Sequence, residues 1–390
     1  MKKCVIFLSL FIYVLTFGMS GCGSLAQENA SPDEEWSAPD EDYLTQLSKQ
    51  GDPESEPQGE IKRVGVAMPT KTSERWINDG MNMKAKLETL GYEVDLQYAD
   101  DDIDLQVSQI ESMIRNEVNC LVIASIDSTK LKEVLSQARE AGIAVIAYDR
   151  LLMDTDAVSY YATFDNKAVG TLIGTYIADK MELEQASEAG KSYTIEFFMG
   201  SPDDNNAVFL YNGVMEVLKP YLKNGTLVCR SGKTSFDETC ILRWSEDTAE
   251  EICTGLIGEY YPEGDLDIAC SAFDGFAYGI LKAWNKKHFP EGMRPLITGQ
   301  DAEKQAIKNI AEHKMDMTIY KDTRILAQKC VTMVQALLEN GEPEINDTTQ
   351  YNNNVLTVPS YLCDPVVIDG DNFEEILIGG GYYTKEQLFE

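Results

Sequence analysis

The sequence predicts a doubly wound α/β fold built twice, as two lobes of similar size. Three observations carry that expectation. From Arg63 onward, short apolar runs alternate with apolar stripes at helical spacing. The alternation breaks and restarts after Asp179-Lys180. The chain has 390 residues, 44% of them apolar and 25% charged, which is enough ordinary globular material for more than one core.

The elements follow in order. Val64-Gly65-Val66-Ala67-Met68 reads as a strand buried on both faces, because a continuous apolar run suits a parallel sheet covered by helices. Trp76, Gly80, Met83, Leu87 and Leu90 then recur at helical spacing, and Gly91 stops that helix. Val94, Leu96 and Tyr98 make the next strand, and Ile103, Val107, Ile110 and Ile114 another helix face. Cys120 to Ser125 is a strand, Leu131 to Ala138 a helix stripe closed by Gly142, and Ile143 to Tyr148 a strand. In the second half, strands are expected at Tyr193–Met199, near Leu227, and at Asp267–Ser271, Pro295–Gly299 and Met315–Tyr320. Helices are expected at about 206–219, 246–258, 276–287 and 303–312, with a long one over 323–340.

The N-terminus is different material. Lys2-Lys3, an apolar run from Val5 to Phe17, and small residues before Cys22 form an export signal over 1–21. Met19-Ser-Gly-Cys22 resembles a bacterial lipobox, which implies lipidation of Cys22 and anchoring without a membrane span. Residues 22–60 then carry many acids, Ser, Pro, Gln and Gly with one lysine, Lys49, so they are read as a solvated linker. Of the nine cysteines, Cys229 and Cys240 are the candidate disulfide pair, while Cys120 and Cys270 fall in apolar strands as core residues. No C-x-x-C spacing occurs, and neither a metal nor a cofactor is implied.

Composition also limits function. Thirty-three Lys and Arg against 65 Asp and Glu give a formal charge of −32, which argues against nucleic-acid binding. The two histidines, His288 and His313, lie away from strand ends and read as surface residues.

Ligands of doubly wound sheets sit beyond the C-terminal ends of the strands. Here those ends are Pro69 to Trp76, Tyr148-Asp149-Arg150, Gly200 to Asn206, Ala272-Phe273-Asp274-Gly275, Gly299-Gln300-Asp301 and Tyr320-Lys321-Asp322. Planar carboxylates, amides and guanidiniums grip neighbouring hydroxyls, and a ring covers the C–H face of a pyranose. Each such hydrogen bond contributes about 0.5–1.5 kcal/mol, or about 1.5–3 with a charged partner. The pattern suits an uncharged polyol such as a monosaccharide. Each residue also has a plainer role open to it: Trp76 as core, Asp149–Arg150 as an ion pair, Asp322 and one of Asn205 or Asn206 as helix caps.

Taken in order, Ser73-Glu-Arg-Trp76, Tyr98-Ala-Asp-Asp-Asp102, Ile146-Ala-Tyr-Asp-Arg150, Tyr161-Ala-Thr-Phe-Asp-Asn166, Gly200 to Ala207, Gly299-Gln-Asp-Ala-Glu303 and Lys321-Asp-Thr-Arg324 resemble one family over about 61–385. It is the xylose/ribose-binding group of type I periplasmic binding proteins, in particular its multiple-sugar receptors. The resemblance implies two Rossmann-like lobes, 61–165 plus 322–362 and 166–321 plus 363–390, joined by three crossings near 163–167, 321–323 and 361–365. By the same likeness Arg75, Trp76, Asp149, Arg150 and Asn166 serve the sugar from one side. Asn205 or Asn206, Asp274, Asp301 and Lys321 serve it from the other, and Phe236 supplies a second ring. Ala272-Phe273-Asp274 stands where ribose and xylose binders resemble Ser-Asn-Asp, which fits broader aldose binders. The family further implies a monomer on the outer face of the cytoplasmic membrane, at the cell surface or in a periplasm, delivering sugar to an ABC permease. A sensor relaying to a membrane kinase or chemoreceptor would use the same cleft. An exported glycosidase is the other alternative, with Asp149 and Asp274 as its paired carboxylates.

Overall fold

The structure is a computed structural model and describes residues 61–389 except Ser73 and Glu291. The export signal, Cys22 and the acidic stretch up to 60 lie outside the described residues. In chain order the strands are β1 (Arg63–Met68), β2 (Glu93–Tyr98), β3 (Cys120–Ile123), β4 (Ala144–Tyr148), β5 (Tyr160–Phe164), β6 (Tyr193–Phe198), β7 (Leu227–Val228), β8 (Ile268–Ser271), β9 (Leu296–Ile297), β10 (Met317–Tyr320), β11 (Ser360–Cys363) and β12 (Val366–Asp369). The longer helices are α1 (Glu74–Thr89), α2 (Ile103–Arg115), α3 (Lys132–Glu140), α4 (Asn166–Lys180), α5 (Asn205–Asn224), α6 (Glu246–Tyr260), α7 (Asp274–Lys286), α8 (Lys304–Ala311) and α9 (Thr323–Leu338).

Two sheets of the expected kind result. The first runs β11-β5-β4-β3-β1-β2, with every neighbouring pair parallel. The second runs β7-β6-β8-β9, also parallel. Backbone bonds from Ile319 N to Gly299 O and from Asp301 N to Ile319 O set β10 beside the chain leaving β9. On its other edge β10 pairs antiparallel with β12. Helices cover both faces of each sheet, so continuous apolar strands such as Cys120-Leu-Val-Ile123 are buried along their whole length. One apolar layer over the first sheet joins Val64, Val66 and Met68 to Met83, Leu326 and Val334, and the opposite layer joins Ala67, Leu121 and Val145 to Ile110 and Leu135.

The chain passes between the sheets three times. It leaves the first at Phe164 and enters α4 at Asn166, whose Val169, Ile173 and Ile177 join the second sheet's core. It leaves the second at Tyr320, and α9 returns to the first sheet through Leu326, Ala327 and Cys330. It leaves again at Cys363 and joins β10 from Val366. Two crossings end in capped helices: Asp165 accepts from Ala168 N at 2.9 Å and Asp322 from Arg324 N at 3.0 Å.

Helix α4 was not expected from the sequence. It packs against the sheet on one side and α5 on another, so its apolar residues do not form a single stripe. The two helices approach until a side chain on Gly170 would meet the Leu210 carbonyl oxygen at 1.8 Å, and one on Gly213 the Lys167 oxygen at 2.2 Å. The expected pairing of Cys229 with Cys240 is not present. All seven described cysteines are free thiols; Cys229 faces the Glu196 carboxylate at 3.5 Å, and Cys240 faces the Asp237 carbonyl. Cys120 and Cys270 are fully buried, which pushes their thiols up to about 12.

The α4–α5 contact yields a test. Gly170→Ala is expected to cost at least the usual overpacking penalty of about 1–3 kcal/mol, because the obstruction is backbone. Urea denaturation measures it, and an unchanged midpoint with unchanged slope refutes the close approach.

Candidate functional site

A cavity of about 310 Å³ lies among loops that leave the C-terminal ends of both sheets. That volume is at the small end of ligand sites, which run to about 300–1,000 Å³. Thr70 and Thr72 reach it from the end of β1, Asp149 and Arg150 from β4, Asn166 from β5, Asn206 from β6, Phe273 from β8, and Lys321 from β10.

Arg75 and Trp76 are on the first turn of α1. The Arg75 guanidinium bonds the Asp149 carboxylate, with Asp301 and Asp79 each 3.7 Å away. Burial alone would lower its pKa, but the three carboxylates hold it well above the ordinary value. The Arg75 and Arg150 guanidinium carbons lie 4.8 and 5.4 Å from the Trp76 ring centre. Trp76 therefore has both roles: it packs with Met83 and Leu87 in the core, and it is part of the cavity wall.

Asp149 takes a left-handed backbone conformation, with φ 60°. Its carbonyl oxygen accepts from Asn206 Nδ2 at 2.6 Å, the Tyr161 hydroxyl at 2.7 Å and Thr163 Oγ1 at 2.9 Å. Burial works to raise the pKa of its carboxyl, yet Arg75 and Lys321 keep it below the usual value. Arg150 donates to the carbonyls of Ser125 and Ile126, and its Nε is 3.3 Å from Asp204 Oδ2. Asp204 also caps α5, accepting from Asn206 N at 3.0 Å, and burial raises its pKa.

The opposite wall is built by Asp301, Lys321 and two rings. Lys321 Nζ is 2.7 Å from Asp301 Oδ1 and is itself buried. Trp244 stands after Arg243 in a turn where both have positive φ, 54° and 60°. Its indole meets Phe273 edge-on at 5.8 Å and stacks on Phe276 at 5.7 Å. Gly200 makes room for it, since a Cβ there would come within 2.2 Å of the indole. Direct links tie the loops of the two sheets: Arg75 to Asp301, Arg150 to Asp204, Asn206 to Asp149, and Ser128 to the Asp203 carbonyl at 3.2 Å. The two sheets therefore stand in a closed arrangement around the cavity.

Of the residues selected from sequence, Arg75, Trp76, Asp149, Arg150, Asn166, Asn206, Asp301 and Lys321 converge here, and three do not. Asn205 is one helical step from Asn206, which turns it about 100° away from the wall. Phe236 begins a short helix capped by Ser235, and its ring packs on Tyr211 at 5.7 Å instead of entering the cavity. Asp274 is fully buried behind the wall. It accepts from Thr318 Oγ1 at 2.7 Å and from the Glu303 amide at 2.8 Å, and burial raises its pKa well above normal. It thus holds the loop 300–303 from behind and does not pair with Asp149 across the cavity.

Sequence reasoning left out Trp244 and Arg243 and gave Phe273, Gln300 and Glu303 no firm role. Phe273 and Gln300 sit in strand-end segments already marked, so the position was signalled but not the direction. Trp244 follows no strand end, and only its adjacency to Arg243 hinted at a site.

A family model described as a periplasmic binding protein domain matches residues 64–343. The chain belongs to that family, a class of ligand-binding receptors rather than enzymes. It is 47% identical over 328 residues to the multiple sugar-binding periplasmic receptor ChvE of Rhizobium radiobacter, covering 83% of this chain and 92% of the relative. Identity falls to 31% over 326 residues with the D-xylose-binding periplasmic protein of Escherichia coli, covering 84% and 92%. The chain is thus nearer the multiple-sugar receptor than the xylose receptor. Among solved structures, an ABC transporter solute-binding protein from Clostridium phytofermentans with bound β-D-glucose is 49% identical. Its TM-score is 0.80, with 84% of this chain and all of that one covered.

Removing Asp274 tests its role as a brace. Asp274→Ala strands the Thr318 hydroxyl and the Glu303 amide, and is expected to cost about 1–3 kcal/mol in urea denaturation. Wild-type stability with lost ligand affinity would instead return Asp274 to the wall.

Proposed function

We propose that the protein is an extracytoplasmic solute-binding receptor that captures one uncharged monosaccharide between two lobes and delivers it to an ABC permease. The observation that carries this reading is the cavity itself, where three arginines, a lysine, carboxylates and amides meet indoles from both sides. Each cation already has a carboxylate partner, as in Arg75 with Asp149, Arg150 with Asp204 and Lys321 with Asp301. Such pairs offer hydroxyls both donors and acceptors without a net charge that calls for an ionic ligand. The names of the relatives point the same way: one is a multiple sugar-binding receptor, and another holds β-D-glucose.

The lobes are assigned as 61–165 with 322–362 and 166–321 with 363–390, with the sheet-to-sheet crossings as the hinge. Sugar favours the closed form because only there do both walls touch it. A permease then reads closure. Cys22 carries the lipid anchor, with the acidic linker as a tether. A glycosidase is disfavoured because the cations hold Asp149 ionised while Asp274 is sealed away.

Three measurements test the proposal. A thermal-shift screen of pentoses, hexoses and uronic acids should find neutral aldoses that raise the melting temperature; a ligand at 100 times its Kd adds about 2.7 kcal/mol. A screen without any responding sugar ends the reading. Trp76→Ala and Trp244→Ala should each weaken calorimetric affinity by about tenfold or more, since aromatic burial contributes at least about 1.5 kcal/mol; wild-type affinity in both removes the stacking role. Cys22→Ala should move the protein from the membrane fraction to the soluble fraction, and persistence in the membrane rejects the anchor.

A further inference from the structure

Asp79 is a carboxyl group that the capture of a ligand does not use. It sits one turn after Arg75 on α1, is completely shielded from solvent, and neither oxygen is in a well-formed hydrogen bond. Its nearest charge is the Arg75 Nε, 3.7 Å away, while the cleft carboxylates of Asp149 and Asp301 meet Nη2 and Nη1. Arg75 is therefore shared: Asp79 holds it from behind, Asp149 from the same side of the cleft, and Asp301 from across it.

We propose that Asp79 is a positioning residue for Arg75, and that closure of the cleft around a sugar is coupled to uptake of a proton by Asp79. The inference rests on the capture reading above. In an open cleft Asp301 is withdrawn and Arg75 serves Asp79 and Asp149 alone. Closure brings Asp301 to 3.7 Å from Arg75 and removes water from the guanidinium. Sharing Arg75 with a third carboxylate and losing solvent both disfavour a charged Asp79, so the closed form binds a proton more tightly than the open one.

Asp79 is placed to titrate where this matters. Burial raises its pKa to about 7, against the pull of Arg75 and of the Tyr148 and Thr323 hydroxyls, with Asp149 adding to the rise. The other titratable groups facing it do not change charge near neutrality. Arg75 is held well above and Asp149 below their usual values. Tyr148 from β4, Tyr98 from β2, Cys330 from α9 and Tyr382 near the C-terminus are all raised above theirs. Neither histidine lines the cavity.

The sign follows from linkage. Proton uptake on binding makes affinity rise as pH falls through about 7, by at most about tenfold per pH unit for one proton. Calorimetric titration with D-glucose from pH 6 to pH 8, in buffers of different ionisation heat, reads both the slope and the proton count. The wild type should lose affinity severalfold across that range and take up a fraction of one proton at pH 7. Asp79→Asn should still bind, with a flattened slope and no uptake. A melt at pH 8 checks folding, and the variant should be at least as stable as the wild type because a buried charge is gone. An equal slope and proton count in the variant overturns the proposal, as does zero uptake by the wild type even if the variant fails to fold. If D-glucose does not bind at any pH, glucose is excluded as the ligand and the aldose with the largest thermal shift replaces it in the same titrations, where an affinity equal at pH 6 and pH 8 overturns the coupling.

Discussion

The cleft depends on Asp149, the residue that ends β4 in a left-handed conformation. Its two polar ends act in different directions. The carbonyl oxygen gathers Asn206, Tyr161 and Thr163, and so joins the head of α5 in the second sheet to the first. The carboxylate grips Arg75 and, at longer range, feels Lys321. An aspartate tolerates this backbone better than most side chains, because its short polar group bonds locally. A β-branched residue here would lose both the conformation and the charge.

The links between the two sheets are largely polar and lie at the cleft, whereas the large apolar layers belong to one sheet or the other. That division suits a closing motion. Separating packed apolar layers would cost free energy in proportion to the area exposed, but ion pairs at a wet cleft exchange their partners for water at small net cost. Once the cleft is closed and dry, the same pairs strengthen, because water no longer screens them. The capped heads of α4 and α9 place rigid elements directly at two crossings, so any change of angle is confined to a few residues.

Charge in the cavity is arranged for orientation. Arg75, Arg150 and Lys321 each have a carboxylate neighbour, which keeps the guanidiniums and the ammonium in fixed directions before a ligand arrives. Pre-set donors reduce the ordering cost of binding. Trp76 benefits from the same arrangement: two guanidiniums over its ring and core residues beneath it leave the indole little freedom.

Much of this was legible in the chain itself. Unbroken apolar runs such as Cys120 to Ile123 announce strands buried on both faces, the Leu131 to Ala138 stripe announces a helix, and the strand-end rule singles out Asp149, Arg150, Asp301 and Lys321. Those signals are local, because periodicity and turn chemistry act over a few residues. Helix α4 escaped for the complementary reason: it is covered on more than one side, so no stripe marks it. Only the tertiary structure decided that Asn206 and not Asn205 faces the cavity, that Asp274 braces a loop from behind, and that Trp244 and not Phe236 lines the cavity. In each case the direction of a side chain relative to a gap between two sheets is set by how distant elements pack, and no stretch of neighbouring residues encodes it.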